Sequence, residues 1–137
     1  MLERYPNKVK IVVKHFPLNS HRFAFPAAMG AMAAHNQGKF FEFHTALMKN
    51  YNALNDEKIE SIAKELQLDM PRWKSDRKSP ENRALIIGDI NEGRRIGVRG
   101  TPSAYVNGKR IESRQLGDLM GVVARELSIL EKGSDQK

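Results

Sequence analysis

Cysteine is the residue type whose absence most limits the chemistry of this chain. None of the 137 residues is a cysteine, so the chain has no thiol nucleophile, no thiolate metal ligand and no disulfide. The remaining conventional metal ligands include four histidines, which are His15, His21, His35 and His44. No two of them have the four-residue spacing that brings two imidazoles to one metal ion on a helix, so no metal site is predicted. No other cofactor site is predicted either.

Serine and acidic residues occur mainly where helix capping explains them. Ser79 and Ser113 precede predicted helices, and Asp56 and Glu81 lie in predicted first turns. Because capping accounts for these residues, no catalytic site with a serine nucleophile and its general base is predicted.

The segment Gly100-Thr101-Pro102 lies between a predicted helix and a predicted strand. Proline cannot donate to a strand ladder, so Pro102 is expected at the beginning or the edge of the strand. A bond that precedes proline can also be cis where the chain makes a tight approach. This segment is therefore the candidate site on local grounds.

The formal charge of +7 arises mainly in one part of the chain. Eleven Lys or Arg residues and five acids lie between Arg72 and Arg114. A basic surface favours anionic partners, but no series of aromatic residues interleaves these charges as base-stacking surfaces require. The segment is interpreted as a solvated basic face, and no specific nucleic-acid partner is predicted.

Apolar spacing predicts the elements that position these residues. The β-branched run within residues 8–16 predicts a buried first strand. Helices are predicted over 25–34, 39–49, 55–67 and 80–96, and a short helix that contains Trp73 is predicted to begin at Pro71. Three apolar sets are expected on core-facing helix sides: Phe40, Phe43, Leu47 and Met48; Ile59, Ile62, Ala63 and Leu66; and Leu85, Ile86, Ile90 and Ile96.

The region after Gly97 predicts a hairpin and a last helix. Asn107-Gly108 fits a two-residue turn between strands 103–106 and 109–111, because both turn residues need positive φ angles. Ser113 is expected to cap the last helix, which extends to Leu130. Residues 132–137 are expected to form a tail, of which GSDQK (133–137) should fray. The core-facing side of that helix is predicted to contain Leu116, Leu119, Met120, Val123, Leu127 and Leu130. These elements predict a mixed α/β domain.

No apolar run in the sequence approaches the length of a membrane span, so no membrane span is predicted.

Three segments of the sequence closely resemble the DsbA-like thioredoxin-fold thiol–disulfide oxidoreductases. They are KVKIVVKHFPL (8–18), NQGKFFEFHTALMKN (36–50) and GVRGTPSAYVNGKRI (97–111). The resemblance runs from about Leu2 to Leu130. It implies a thioredoxin core formed by 1–18 and 97–131, with a helical insertion at 19–96. It also implies that Thr101-Pro102 is cis, and that Arg99, Gly100, Thr101 and Pro102 bind extended or unfolded polypeptide.

The chain departs from the family pattern at its catalytic motif. The family's CxxC motif and the strand before it would precede Leu2, so LERYPN resembles only the end of the helix that follows CxxC. Disulfide exchange requires a thiolate, so this chain alone is expected to be redox-inactive. The missing strand would lie between the strands matching 9–15 and 103–106. Its absence predicts unpaired edges, and therefore a rearranged sheet or a strand-mediated homodimer.

Two functions follow from this departure. The chain is either an N-terminally truncated part of an oxidoreductase or a complete non-redox peptide-binding or assembly module. Met29 and Met32, with Phe23 and Phe25, could contribute to a peptide groove near Pro102, because methionine adapts to varied ligands, or they could pack in the core. The family commonly works outside the cytoplasm, whereas the first residues MLERYPNKVK do not resemble an export signal, so the compartment is left open.

Overall fold

The structure is a computed structural model in which residues 1–134 are described. The chain forms two compact units. The helical unit is the continuous stretch Lys14–Arg99, and the terminal unit combines Met1–Val13 with the chain from Gly100 onward.

Five α-helices form the helical unit, and their ends follow the local capping signals. Asn55, Asp69 and Ser79 each accept a hydrogen bond from the backbone N–H three residues later, at 2.7, 3.0 and 3.1 Å. The helices are α1 (Ala24–His35), α2 (Phe40–Lys49), α3 (Asp56–Glu65), α4 (Met70–Asp76) and α5 (Pro80–Arg95), with a 3₁₀ turn at Tyr51–Ala53. The predicted helices are confirmed to within two residues at each predicted end.

The core of the helical unit is centred on a buried tryptophan. Trp73 is fully buried, and its indole Nε1 donates a hydrogen bond of 3.0 Å to the carbonyl oxygen of Gly30 in α1. The other large side chains that are fully buried are Phe43, Ile59, Ile62 and Ile86. This bond satisfies the one polar group that tryptophan brings into the core.

Several positions predicted to face the core of the helical unit are exposed. Leu85 is 56% exposed and Ile96 is 52% exposed, although Ile86 is fully buried. Met48 on α2 is also exposed, at 53%. These predictions were wrong because only a narrow side of each helix contacts its neighbours, and the apolar residues beyond that side meet solvent.

The terminal unit contains a short hairpin and a long helix. Strands β1 (Tyr105–Val106) and β2 (Lys109–Arg110) pair antiparallel, with Tyr105 opposite Arg110 and Val106 opposite Lys109. Asn107 and Gly108 have φ angles of +48° and +77°, as the predicted turn requires. The hairpin is therefore confirmed, although each strand is shorter than predicted.

The last helix, α6 (Leu119–Ser134), begins later than predicted. Ser113 does not cap it, because Ser113–Asp118 forms a 3₁₀ turn whose cap is Glu112. The side chain of Gln115 in turn accepts a hydrogen bond of 3.2 Å from the backbone N–H of Glu112.

The core-facing side of α6 agrees with the prediction only in part. Val123 is buried as expected, whereas Leu130 is 58% exposed. The predicted fraying is wrong for 133 and 134, because α6 extends to Ser134, and 135–137 lie outside the described residues.

The predicted first strand at 8–16 is not formed. This stretch lacks regular secondary structure, and Ile11, Val12 and Val13 are exposed at 40%, 62% and 37%. Strand composition alone did not suffice, since a strand also needs a hydrogen-bonded neighbour and none of the described residues pairs with this segment. Within residues 1–134 the hairpin is the one sheet, so the described fold is mostly helical rather than evenly mixed.

No helix within residues 1–134 combines the length and the apolar character needed to cross a membrane.

Candidate functional site

The candidate loop begins where α5 ends. Gly97 has a φ angle of +86°, a conformation that glycine adopts without steric cost, and this reverses the chain after the helix. The N–H of Val98 then donates a hydrogen bond of 2.8 Å to the carbonyl oxygen of Gly93. The glycine terminator predicted from the sequence is therefore the residue that directs the chain towards Arg99 and Gly100.

The backbone at Thr101 and Pro102 is open to solvent. Both residues are exposed, and the peptide bond between them is cis. The Ser103 hydroxyl donates a hydrogen bond of 2.7 Å to the carbonyl oxygen of Gly100, which fixes the loop from within. In the part of the chain that the structure describes, the polar backbone groups of Thr101 and Pro102 make no hydrogen bond. They are thus available to an extended peptide.

A groove in the helical unit ends at Arg99, the residue that precedes this loop. Its volume is about 300 Å³, and Phe16, Leu18, Ile90 and Val98 form its apolar wall. Arg94 and Arg99 line the same groove and have no carboxylate partner among residues 1–134. The groove can therefore hold an apolar side chain with a polar or anionic group beside it.

The segment that carries Phe16 is attached to α5. The backbone N–H of His15 donates a hydrogen bond of 2.8 Å to Asp89, and the Lys14 ammonium lies 3.3 Å from Asp89 and 2.8 Å from Glu92. These hydrogen bonds raise the pKa of Lys14, that to Glu92 most strongly. Sequence reasoning missed Asp89, because nothing in its own helix marks it as the anchor of a distant extended segment.

Three histidines surround Phe40. The centroid of the Phe40 ring lies 5.8 Å from that of His15, 6.2 Å from that of His35 and 5.7 Å from that of His44. Burial lowers the pKa of His15, Asp89 opposes this effect, and the other two imidazoles reinforce it. His44 stacks on the Phe40 ring, whereas His15 and His35 meet it edge to face. No group of three His, Asp or Glu residues in 1–134 is arranged to hold a metal ion.

The two methionines proposed for a peptide groove lie on α1. Met29 is buried with Ala28 and Ile86, and Met32 packs against the same cluster. Core packing therefore accounts for Met32, whereas Met29 also lines a second groove of the helical unit, together with Phe25. Phe16 and Leu18 line a groove instead, and the proline between them was the available signal, because Pro17 prevents this apolar run from continuing as a strand interior.

Sequence comparison connects the chain to known proteins. The profile of the family described as Thioredoxin matches residues 1–123. A Na(+)/H(+) antiporter NhaA 3 of Salinispora tropica is 33% identical over 103 residues, which are 74% of this chain and 16% of that protein. A Na(+)/H(+) antiporter NhaA of Nitrosospira multiformis is 28% identical over 110 residues, which are 80% of this chain and 18% of that protein. The chain thus spans about a sixth of the length of these relatives, and no solved structure gives a significant match.

Proposed function

Because the chain belongs to the thioredoxin family, we propose that it is a thioredoxin-fold module of DsbA-like type that binds extended polypeptide at Arg99–Pro102. The observation that carries this proposal is the exposed backbone of Thr101 and Pro102, whose polar groups make no hydrogen bond within residues 1–134. An extended peptide can pair with such a backbone as an added strand, and side-chain pockets then provide selectivity.

The groove that ends at Arg99 supports the same proposal. Phe16, Leu18 and Ile90 offer an apolar wall, and Arg94 and Arg99 add two cations without carboxylate partners among the described residues. Unfolded polypeptide exposes apolar side chains, which this groove can contact. This function requires no thiol, and the chain contains none.

The antiporter relatives share this similarity over only a small part of their length. We therefore assign the shared function to the module and not to ion transport. In this proposal, the residues of the helical unit correspond to the DsbA-type helical insertion.

A backbone-modified peptide tests the proposal without altering the protein. We expect a fluorescently labelled, carboxymethylated unfolded polypeptide to bind, and a short peptide from it to perturb the amide NMR signals of Thr101 and Ser103. The same peptide with N-methylated backbone amides should bind at least tenfold more weakly, because it cannot pair as a strand. Amide signals of α2 provide the internal control, because no residue of α2 lines either groove. Equal affinity for the two peptides, or perturbation confined to α2, would contradict the proposal.

A second candidate follows from the resemblance to disulfide oxidoreductases. In this candidate the chain is the polypeptide-binding part of an enzyme whose two thiols lie outside these 137 residues. Intact-mass analysis of the alkylated endogenous protein, purified with an antibody to this chain, distinguishes the two candidates. Two alkylated thiols on a heavier polypeptide would support the enzyme. A mass of 15.6 kDa without alkylation would support the non-redox module.

A further inference from the structure

A second groove lies elsewhere in the helical unit, between α1, α3 and the segment from α4 to α5. Its volume is about 300 Å³. Phe25, Pro26 and Met29 form its apolar floor, and the charged residues at its rim are Asp56, Arg77, Lys78 and Arg83. This volume is at the lower end of the range for ligand pockets, and it suits one or two amino-acid side chains.

Arg77 is a fixed part of the groove wall. Its guanidinium lies 3.2 Å from the Asp56 carboxylate and 4.8 Å from the ring centroid of Trp73, and its side chain is only 15% exposed. Its charge is therefore largely compensated, and it connects the groove directly to the buried indole.

Lys78 and Arg83 are the cations left for a ligand. Both are exposed, and neither has a carboxylate partner within residues 1–134. The Arg83 guanidinium lies over the Phe25 ring, 5.0 Å from its centroid, so a charged hydrogen-bond donor is next to the apolar residues of the groove. Since Arg77 and Asp56 balance each other, the groove presents two uncompensated positive charges beside an aromatic ring.

We propose that this groove binds an acidic peptide segment of a partner protein, in which a carboxylate side chain is flanked by an apolar one. The carboxylate would accept hydrogen bonds from Arg83 and Lys78, while the apolar neighbour would contact Pro26 and the part of the Phe25 ring that Arg83 leaves open. A nucleic acid fits the groove less well, because the Arg83 guanidinium already lies over the Phe25 ring where a base would stack.

The single tryptophan of the chain reports on this groove. Trp73 is buried beneath Arg77, so a ligand that shifts the guanidinium should change the tryptophan fluorescence. The probe is an acetylated hexapeptide of alternating Glu and Leu, titrated by fluorescence and by calorimetry. The matched probe replaces each Glu by Gln. We expect saturable binding of the Glu peptide and at least tenfold weaker binding of the Gln peptide.

Protein variants identify the residues involved. Lys78→Gln with Arg83→Gln should weaken binding of the Glu peptide at least tenfold, and Arg83→Lys should give an intermediate loss because it keeps the charge but not the two-pronged donor. Lys49→Gln with Arg95→Gln removes the same charge from other exposed helix ends and should leave the affinity unchanged. Circular dichroism checks that each variant is folded.

Three results would overturn the proposal. They are undiminished binding by the Lys78/Arg83 double variant, an equal loss in the Lys49/Arg95 control, and tighter binding of a single-stranded oligonucleotide that depends on Lys78 and Arg83. The last result would assign the cations to phosphate. Because the Thr101 and Ser103 amides report on the other site, failure here is distinguishable from failure of the proposed function.

Discussion

At the scale of single residues, Gly30 shows why a helix can require glycine. A methyl group placed on Gly30 would lie 3.0 Å from Cγ2 of Ile59, 3.2 Å from Cζ of Phe43 and 3.3 Å from the Trp73 indole. All three neighbours are fully buried and have little room to move. Glycine is thus needed here for the close approach of the core to α1.

We therefore expect Gly30→Ala to lower the free energy of unfolding by about 1–3 kcal/mol, because overpacking outweighs the higher helix propensity of alanine. Gly88→Ala on α5 is the matched control, since a methyl group there meets no atom within 4 Å. It should raise stability by about 0.5–1 kcal/mol. Urea unfolding followed by circular dichroism measures both. A Gly30→Ala variant that is more stable than the wild type would contradict the prediction, because it would show that the buried neighbours can move to accommodate the methyl group.

Some residue roles could be predicted from the sequence and others could not. Asn55 and Ser79 cap helices as predicted, because a cap depends on backbone groups only three residues away. The prediction that Ser113 caps the last helix was wrong, since the neighbouring Glu112 caps a 3₁₀ turn instead. The contact between Arg83 and Phe25 joins residues far apart in sequence, and no local pattern indicates it.

At the scale of elements, the extended segment that follows Val13 depends on α5 for its position. Asp89 accepts the backbone N–H of His15 and also lies near the Lys14 ammonium, and the Phe16 ring lies so close to Gly93 that a methyl group there would meet it at 2.9 Å. The segment 14–16 is therefore held firmly against α5, although more than 70 residues separate them in the sequence.

This attachment should depend on pH through His15. Its pKa is lowered mainly by burial, and its imidazole also interacts electrostatically with Asp89, which opposes this effect, and with His44 and His35, which reinforce it. The unfolded chain then binds a proton at a higher pH than the folded chain. Stability is consequently greatest above the ordinary histidine pKa of about 6.5 and falls as the pH decreases from there towards the lowered value.

Urea midpoints at pH 7.5 and pH 5.0 measure the effect. We expect the loss of stability on acidification to be smaller for His15→Gln than for the wild type. His21→Gln, which changes an exposed histidine, should lose as much stability on acidification as the wild type does. The same pH dependence for His15→Gln and the wild type would contradict the role of His15.

The elements also show where sequence patterns were sufficient. The hairpin was predictable because Asn107 and Gly108 determine its turn by themselves. The absence of a strand at 8–16 could not be predicted in this way. β-branched residues favour a strand, but they do not show whether a neighbouring strand is present to pair with it. The candidate loop was found from Pro102 and the resemblance, whereas the groove that ends at Arg99 needed the long-range pairing of Phe16 with α5.

At the scale of the whole molecule, the exposed apolar residues of the terminal unit predict self-association. Ile11, Val12 and Val13 are exposed on a stretch that pairs with no described strand, and Ile129 and Leu130 are exposed on α6. Unpaired extended chains recruit other strands. We expect the chain to form a homodimer at micromolar concentration through the segment 9–13.

Val12→Lys should shift the dimer towards monomer, because a charged side chain on an open edge opposes strand addition. Ile87→Lys, which changes an exposed β-branched residue of the helical unit, is the matched control and should leave the dimer intact. Analytical ultracentrifugation measures both. A wild-type monomer, or equal dissociation of the two variants, would contradict strand-mediated pairing.

The division of the chain into one continuous unit and one made from two separate stretches also determines the order of events during synthesis. Every residue of Lys14–Arg99 is synthesised before Gly100, so the assembly of this unit requires no residue that is added later. Met1–Val13 must wait for the stretch after Gly100 before its own unit can assemble. At about 5–20 residues per second this delay lasts roughly 4 to 17 s, during which Ile11, Val12 and Val13 lack that stretch as a packing partner. In the growing polypeptide, this segment is therefore the expected binding site for a nascent-chain chaperone.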